Sequence, residues 1–343
     1  MSNPFTLSFG KKPYEYISRI QQTDEILHDF NTEHPVSQVY MLTGVRGSGK
    51  TVLMSAIANH LSEKNDWIVV ELNPTRDLLK GLASKLYEKE KLKAVFINAK
   101  LDFSILGIGV HIEGASPVTD IETAIEQMLK IIQHMHKRVL ITIDEVENSQ
   151  TVREFVSAFQ IYMRENYPVF LLMTGLYDKI NALQNSNNVT FLYRAPKIEM
   201  GPLDTGAVVN SYRQIFDINT ERAKNLASLT MGYPFAYQVL GFLCYKNKCA
   251  LNPEPILSEY DQRLSEYVYT KIWSEMSGND KRIAVAMTES QEVSEIMKRS
   301  GMKKSEFSPY RARLIKRGLV YSPERGKLRF LLPRFSEFVE VNY

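Results

Sequence analysis

The sequence predicts an α/β fold built on a parallel sheet, then an all-helical segment, then a small C-terminal module of three helices and two short strands. Three observations carry this. Between about 38 and 200, short apolar runs rich in β-branched residues alternate with helix-length amphipathic segments, the pattern of buried parallel strands and their crossovers. From about 204 to 275 the strand signals fade and helical periodicity with Tyr and Leu stripes takes over. Beyond about 279 the pattern is helix, helix, helix and two strands around a Pro-Glu-Arg-Gly turn. The strand runs are QVYMLTG (38–44), WIVVELN (67–73), VLITIDE (139–145), PVFLLMTG (168–175) and KIEMG (197–201). Between the second and third, AVFINAKLDFSILGIGVHIEG (94–114) alternates loosely around internal glycines and is read as an inserted β-hairpin. Domain limits follow at 1–201, 202–276 and 277–343.

Composition excludes several classes. The chain has 343 residues, 44% hydrophobic and 24% charged, with 17 Gly and 14 Pro. That is too long for one small core and too ordinary for collagen-like or disordered chains. No apolar run approaches the roughly 20 residues of a spanning helix, so no membrane partner is expected. The opening MSNPFTLSFGKKP lacks the apolar core of a secretory signal. With only Cys244 and Cys249 there is no disulfide framework, and a reducing, cytoplasmic setting is expected. The overall charge of +3 hides an asymmetry: residues 298–334 hold twelve Lys and Arg against Glu306 and Glu324, a net of +10, leaving −7 for the rest. A basic segment on an acidic body is a pattern that marks contact with a polyanion.

The sharpest motif is GVRGSGKT, Gly44 to Thr51, which fits G-x-x-x-x-G-K-[ST] between a strand and a helix. A chance match on a glycine turn would arise in roughly one chain in a hundred at ordinary residue frequencies. Its glycines let successive N–H groups face one centre and form an anion nest. Gly44, Val45, Arg46, Gly47, Ser48, Gly49, Lys50, Thr51 and Val52 are therefore candidate nucleotide contacts. Lys50 reaches the β- and γ-phosphates, and the Thr51 hydroxyl is a ligand for Mg²⁺. Leu53, Ile57 and Leu61 give the following helix, 51–62, a buried face. VLITIDE ends an apolar strand on Asp144 and Glu145, where a parallel sheet delivers side chains to its carboxyl edge. Asp144 is the second candidate Mg²⁺ ligand, and Glu145 would orient and polarise the attacking water. Thr174 ends another strand, either hydrogen-bonding the γ-phosphate or the attacking water, or capping a turn.

The phosphate loop, the Asp-Glu pair and Thr174, in this order, resemble the AAA+ branch of P-loop NTPases. The chain is most similar to the group holding origin-recognition and initiator ATPases and the archaeal-type and STAND-like ATPases. The resemblance implies a P-loop parallel-sheet core, an all-α lid and a C-terminal winged helix-turn-helix. ATP is the implied nucleotide, and no Asn-Lys-x-Asp guanine motif appears. FGKKPYEYISR (9–19) resembles the family's adenine-covering box, which makes Phe9, Pro13 and Ile17 candidate base contacts or plain core residues. FLYRAPKIEMGPL (191–203) resembles the stretch that carries an arginine before the last core strand. Arg194 is then either an arginine finger, which needs a homo-oligomer, or a surface salt-bridge residue. MGYPFAYQVLG (231–241) looks like the Gly-x-Pro motif opening a lid helix, with Pro234 packing on the nucleotide or merely starting the helix. Other branches place a sensor arginine in this lid and GYPFAYQ has none, so slow, switch-type ATP hydrolysis is expected.

In the basic tail, SPYRARLIKRG (308–318) is expected to form the third helix, with Ser308 as N-cap, Pro309 at its first position and Gly318 beyond its end. Tyr310 and Leu314 would form its core stripe and leave Arg311, Arg313, Lys316 and Arg317 largely outside. LVYSPERGKLRFLLP (319–333) reads as a wing carrying Arg325, Lys327 and Arg329. These seven residues are the candidate contacts to double-stranded DNA, the helix in the major groove and the wing on phosphates. The alternative is a STAND-like signalling ATPase whose winged helix meets protein. Cys244-x4-Cys249 lacks a second ligand pair for zinc, and His134 and His136, two apart, share no helix face.

Overall fold

The computed structural model describes residues 2–8, 14–109, 111–115, 117–187 and 189–343. They form two compact units, one of residues 20–43 and 50–199, the other of residues 1–19, 44–49 and 200–343.

The first unit is a five-stranded sheet with its helices. In chain order its elements are α1 (Ile20–Asn31), β1 (Val39–Thr43), α2 (Lys50–Ser62), β2 (Trp67–Leu72), α3 (Leu78–Tyr87) and α4 (Glu90–Asn98). They continue with α5 (Ile121–His134), β3 (Arg138–Ile143), α6 (Gln150–Arg164), β4 (Val169–Gly175), α7 (Tyr177–Gln184) and β5 (Lys197–Glu199). The strand order is β2-β3-β4-β1-β5, with every pair parallel. All five apolar runs are strands, and β1 and β4 are buried along their whole length, as continuous apolar runs in a parallel sheet require. The fold is thus the α/β architecture of P-loop NTPases. Asp120, Ser149 and Asp77 cap α5, α6 and α3 by accepting a first-turn amide.

Among the described residues of 94–114 no hairpin forms. Residues 94–98 complete α4, whose Leu92 and Phe96, one turn apart, are buried, and Phe96 packs edge-on to Phe103. The loose alternation was one face of a helix read as a strand. Gly107 and Gly109 lie at positive φ in turns rather than in strands. The buried Asp102 carboxylate organises the segment, accepting from the Ser104 and Ile112 amides and meeting His111 Nδ1 at 2.6 Å.

The second unit is mostly helical: α8 (Thr205–Phe216), α9 (Thr220–Ser228), α10 (Pro234–Asn247), α11 (Leu257–Leu264), α12 (Thr270–Ser274), α13 (Gly278–Glu289), α14 (Val293–Ser300) and α15 (Lys304–Lys316). An antiparallel pair, β6 (Val320–Tyr321) and β7 (Arg329–Phe330), and α16 (Phe335–Asn342) complete it. One apolar core runs from Phe5 through α10 to Val339.

The third C-terminal helix begins at Lys304, four residues before the expected start, with Pro309 inside it. Phe307 and Leu314, two turns apart, are its buried stripe, while Tyr310 is only partly buried. Burying Phe307 extends the helix ahead of the proline, which near the amino end forfeits a single backbone hydrogen bond.

Candidate functional site

The sheet places three chemical groups at one edge. Thr43 pairs with Gly175 and Ile143 with Met173, so the carboxyl ends of β1, β4 and β3 lie side by side. Asp144 follows β3 directly, and its Oδ2 accepts from Thr51 Oγ1 at 2.9 Å. Its Oδ1 accepts a short hydrogen bond from the Thr174 hydroxyl. Thr174 in turn accepts from the Glu145 amide at 3.1 Å, and that amide also reaches Asp144 Oδ1 at 3.1 Å. Glu145 itself is held at φ +53°, a left-handed conformation costing about 1 kcal/mol in a residue with a Cβ. That backbone carries its side chain out to solvent. Lys50 is buried at the first position of α2, and Val52 is half-buried in its first turn. Leu53, Ile57 and Leu61 are buried as expected. One hydroxyl and one carboxylate, already hydrogen-bonded, make a hard-oxygen pair that fits Mg²⁺.

Thr174 lies at the end of β4, as expected. It is fully buried, and its only proton is committed to Asp144. It ties the Asp144 carboxylate to the Glu145 backbone amide.

Residues 44–49 are built within the helical unit. Gly44, Gly47 and Gly49 sit at φ +156°, +71° and +87°, and a side chain at Gly47 would overlap the Tyr233 hydroxyl and Phe235. The Ser48 amide closes a turn on Val45 O at 3.3 Å. The Tyr233 hydroxyl donates to Arg46 O, and the Phe235 amide to Gly47 O at 3.2 Å. Arg19 Nη2 donates to Ser48 O at 3.3 Å and to Gly201 O at 2.5 Å. Burial pushes the Tyr233 phenol up and the Arg19 guanidinium down, each away from its charged form. Ser48 Oγ is buried without a hydrogen-bond partner among the described residues, a polar atom on the loop suited to a polar ligand. The Arg46 side chain pairs with Glu275 at 2.9 Å, and Val45 packs into the core facing Gly318. Pro234 opens α10 beside Gly49.

Ile17 is half-buried against the same core, whereas Phe9 and Pro13 lie outside the described residues. Arg194 is exposed at the end of a 3-10 turn, Thr190–Arg194, just before β5.

The basic set does not stay together. Arg313 and Arg317 turn inward to the buried Asp280 carboxylate, at 2.6 and 3.6 Å, and are not largely outside. Asp280 is the third residue of α13 in a capping box with Ser277, so one carboxylate caps a helix and anchors two arginines. Lys327 pairs with Glu324 at 2.6 Å and Glu292 at 3.8 Å, and Arg329 donates to Gln291. Glu324 holds the Lys327 ammonium above its usual pKa. Arg311 meets the Ser322 hydroxyl at 3.1 Å, while Lys316 and Arg325 are exposed.

Sequence reasoning missed Arg19, Tyr233, Glu275 and Asp280. Arg19 and Tyr233 stand inside segments singled out for other residues, and Ser277-x-x-Asp280 is a readable capping box. Nothing local marks Glu275.

Residues 20–187 match the family model of an ATPase domain predominantly from Archaea, and residues 266–339 match a domain of unknown function. No curated protein sequence matches the chain. Among solved structures, the fold is similar to a Walker-type ATPase of Pyrococcus abyssi. Their TM-score is 0.65 at 14% identity, over 95% of this chain and 96% of that one. It is also similar to the ORC2 protein of Aeropyrum pernix in ADPNP-ADP complexes. There the TM-score is 0.59 at 13% identity, over 97% of this chain and 96% of that one. At these identities the likeness is one of fold. The family match covers the phosphate loop, Asp144, Glu145 and Thr174. Among the described residues no helix is long and apolar enough to cross a membrane.

Proposed function

We propose that the protein is an ATP-binding switch of the AAA+ kind that hydrolyses ATP slowly to ADP and phosphate, and whose C-terminal module, a winged helix, contacts double-stranded DNA. The observation that carries the reading is the hydroxyl–carboxylate cluster of Thr51, Asp144 and Thr174 at the carboxyl ends of the strands, Thr51 being the last residue of the glycine-rich motif. Lys50 and the loop amides of 44–51 hold the phosphates. Thr51 and Asp144 hold Mg²⁺, which when bound neutralises charge on the β- and γ-oxygens. Glu145 orients the attacking water, on a backbone that Thr174 and Asp144 fix. Pro234, Ile17, Phe9 and Pro13 are the proposed nucleoside contacts, and Arg194 the proposed finger toward a second copy in a homo-oligomer. The absence of an arginine in 231–241 supports slow turnover.

Coupling to the C-terminal module is supported by two contacts of the loop itself. Arg46 is bonded to Glu275, which follows α12 just before α13, and Val45 faces Gly318, two residues beyond α15. DNA contact rests on Lys298, Lys303, Lys304, Lys316, Arg325 and Arg329, all exposed, and on Arg311. A second reading, STAND-like contact with protein, is favoured by the inward pairing of Arg313, Arg317 and Lys327.

Phosphate release from ATP, abolished in Lys50→Ala and reduced at least tenfold in Glu145→Gln, tests the nucleotide reading. Unchanged release in both variants would reject it. A gel shift on duplex DNA tests the second half, since phosphate contacts strengthen as salt falls. No retention at about 50 mM salt, with nucleotide-dependent oligomerisation in scattering, selects protein contact instead.

A further inference from the structure

Four consecutive carbonyls of the phosphate loop, Val45 to Ser48, are all engaged. Val45 O is taken by the loop's own Ser48 amide. The next three are taken by the Tyr233 hydroxyl, the Phe235 amide and Arg19. A trans peptide points its C=O and the following N–H in opposite directions. Holding the Arg46 and Ser48 carbonyls toward Tyr233 and Arg19 therefore turns the N–H groups of Gly47 and Gly49 the other way, toward the concave side of the nest. The positive φ of both glycines is the conformation this alternation needs. Pro234 at the first position of α10 has no N–H, so Phe235 brings the first free amide of that helix, and it is spent on Gly47 O rather than on a ligand.

We propose that Tyr233 and Arg19 are positioning residues of the phosphate site, acting from the outer side of the loop to aim its amides at an anion they do not touch. This rests on the nucleotide reading above. Tyr233 is buried, so its ring is held by packing and its hydroxyl is the element that acts on the loop. Arg19 joins the loop to Gly201, the residue after Met200 at the start of the helical segment, so one guanidinium fixes both chain passages. The arrangement makes phosphate affinity depend on the amino end of α10, even though that helix lends the anion no amide.

The test uses the full chain with Tyr233→Phe, Arg19→Gln and Arg19→Lys, titrated calorimetrically with Mg-ATP, ADP and inorganic pyrophosphate. Tyr233→Phe keeps the ring and removes one hydrogen bond. A three- to tenfold loss is expected, alike for all three ligands because only the phosphate loop is disturbed. Arg19→Gln loses more and Arg19→Lys recovers part of it. In glycine-selective amide spectra of the ligand-free protein, Gly47 and Gly49 shift or broaden in Tyr233→Phe while the other glycines stay in place. Wild-type affinity in Tyr233→Phe overturns the proposal and leaves the nucleotide reading standing. General loss of glycine dispersion with a collapsed melting temperature also overturns it, by assigning the hydroxyl to folding alone. Wild-type protein that binds none of the three ligands removes both readings.

Discussion

Replacing Thr174 by valine separates two roles for one hydroxyl. Valine matches threonine in shape, so no cavity forms, and the change removes a donor to the Asp144 carboxylate and an acceptor for the Glu145 amide. A hydrogen bond to a charged group contributes about 1.5–3 kcal/mol. The Glu145 amide keeps Asp144 Oδ1 at 3.1 Å, so its share of the loss is small. The ligand-free sheet unit should thus lose about 2 kcal/mol, a fall of roughly 4–8 °C in its melting temperature. Outer partners of metal ligands typically change metal affinity 10- to 100-fold. The Mg²⁺ concentration giving half-maximal phosphate release should accordingly rise by about tenfold or more. Thr174→Ser, which keeps the hydroxyl, should stay near wild type in both measurements. Calorimetric scanning without nucleotide and a Mg²⁺ titration of phosphate release read the two effects. If Thr174 served only as a contact to the γ-phosphate, melting and Mg²⁺ dependence would be unchanged and the loss would appear with ATP but not ADP. That outcome would refute the positioning role.

Three other perturbations follow from the same geometry. Asp280→Ala removes a helix cap and the buried partner of two arginines. With Arg313 part-exposed, a loss of about 2–4 kcal/mol is expected, read as lowered melting of the helical unit. A change below about 0.5 kcal/mol would show that the cluster does not hold α13 to α15. Burial pushes the thiols of Cys244 and Cys249 up, so both remain protonated at pH 8 and should alkylate slowly until the chain unfolds. Rapid native labelling of Cys244, seen by mass spectrometry, would contradict its burial. Asp102 is held below the usual carboxylate range, first by its hydrogen bonds to Ser104, so its contribution persists as pH falls through 4 and is lost only on further acidification. Asp102→Asn should open residues 101–118 to limited proteolysis at neutral pH, and an unchanged cleavage pattern would remove Asp102 as the organiser of that segment.

What could be read from sequence divides by the range of the interaction. The five strands were legible because a strand buried on both faces leaves an unbroken apolar run in the chain. The phosphate loop was legible because its chemistry is local: glycines, Lys50 and Thr51 within eight residues. The segment 94–114 misled because AVFI suits a strand and a buried helix face equally, and Leu92, which settles the matter, stands just before it. Pro309 misled for a related reason, since a preference for the first turn yields to burial of Phe307. The contacts around the loop were out of reach. Tyr233 is 187 residues from Arg46, and Glu275 is 229, and no spacing rule spans such distances.

The basic tail shows the same division in charge. A net of +10 over 298–334 counts residues, but all the acids that answer them except Glu324 come from outside that window. Asp280 takes Arg313 and Arg317, Asp261 takes Arg334, Glu289 and Glu295 take Arg299, and Glu292 shares Lys327. Part of the −7 elsewhere is therefore bound to the tail. Lys298, Lys303, Lys304, Lys316, Arg325 and Arg329 are exposed and Arg311 is half-buried, so at most seven outward contacts are left. Counterion release gives a slope of about −0.9 per phosphate met, so affinity for duplex DNA should fall with log salt at a slope no steeper than about −6. All twelve cations engaged would give about −11. A slope near that value would require Arg313 and Arg317 to leave Asp280 on binding, and α13 to lose its cap when DNA is held.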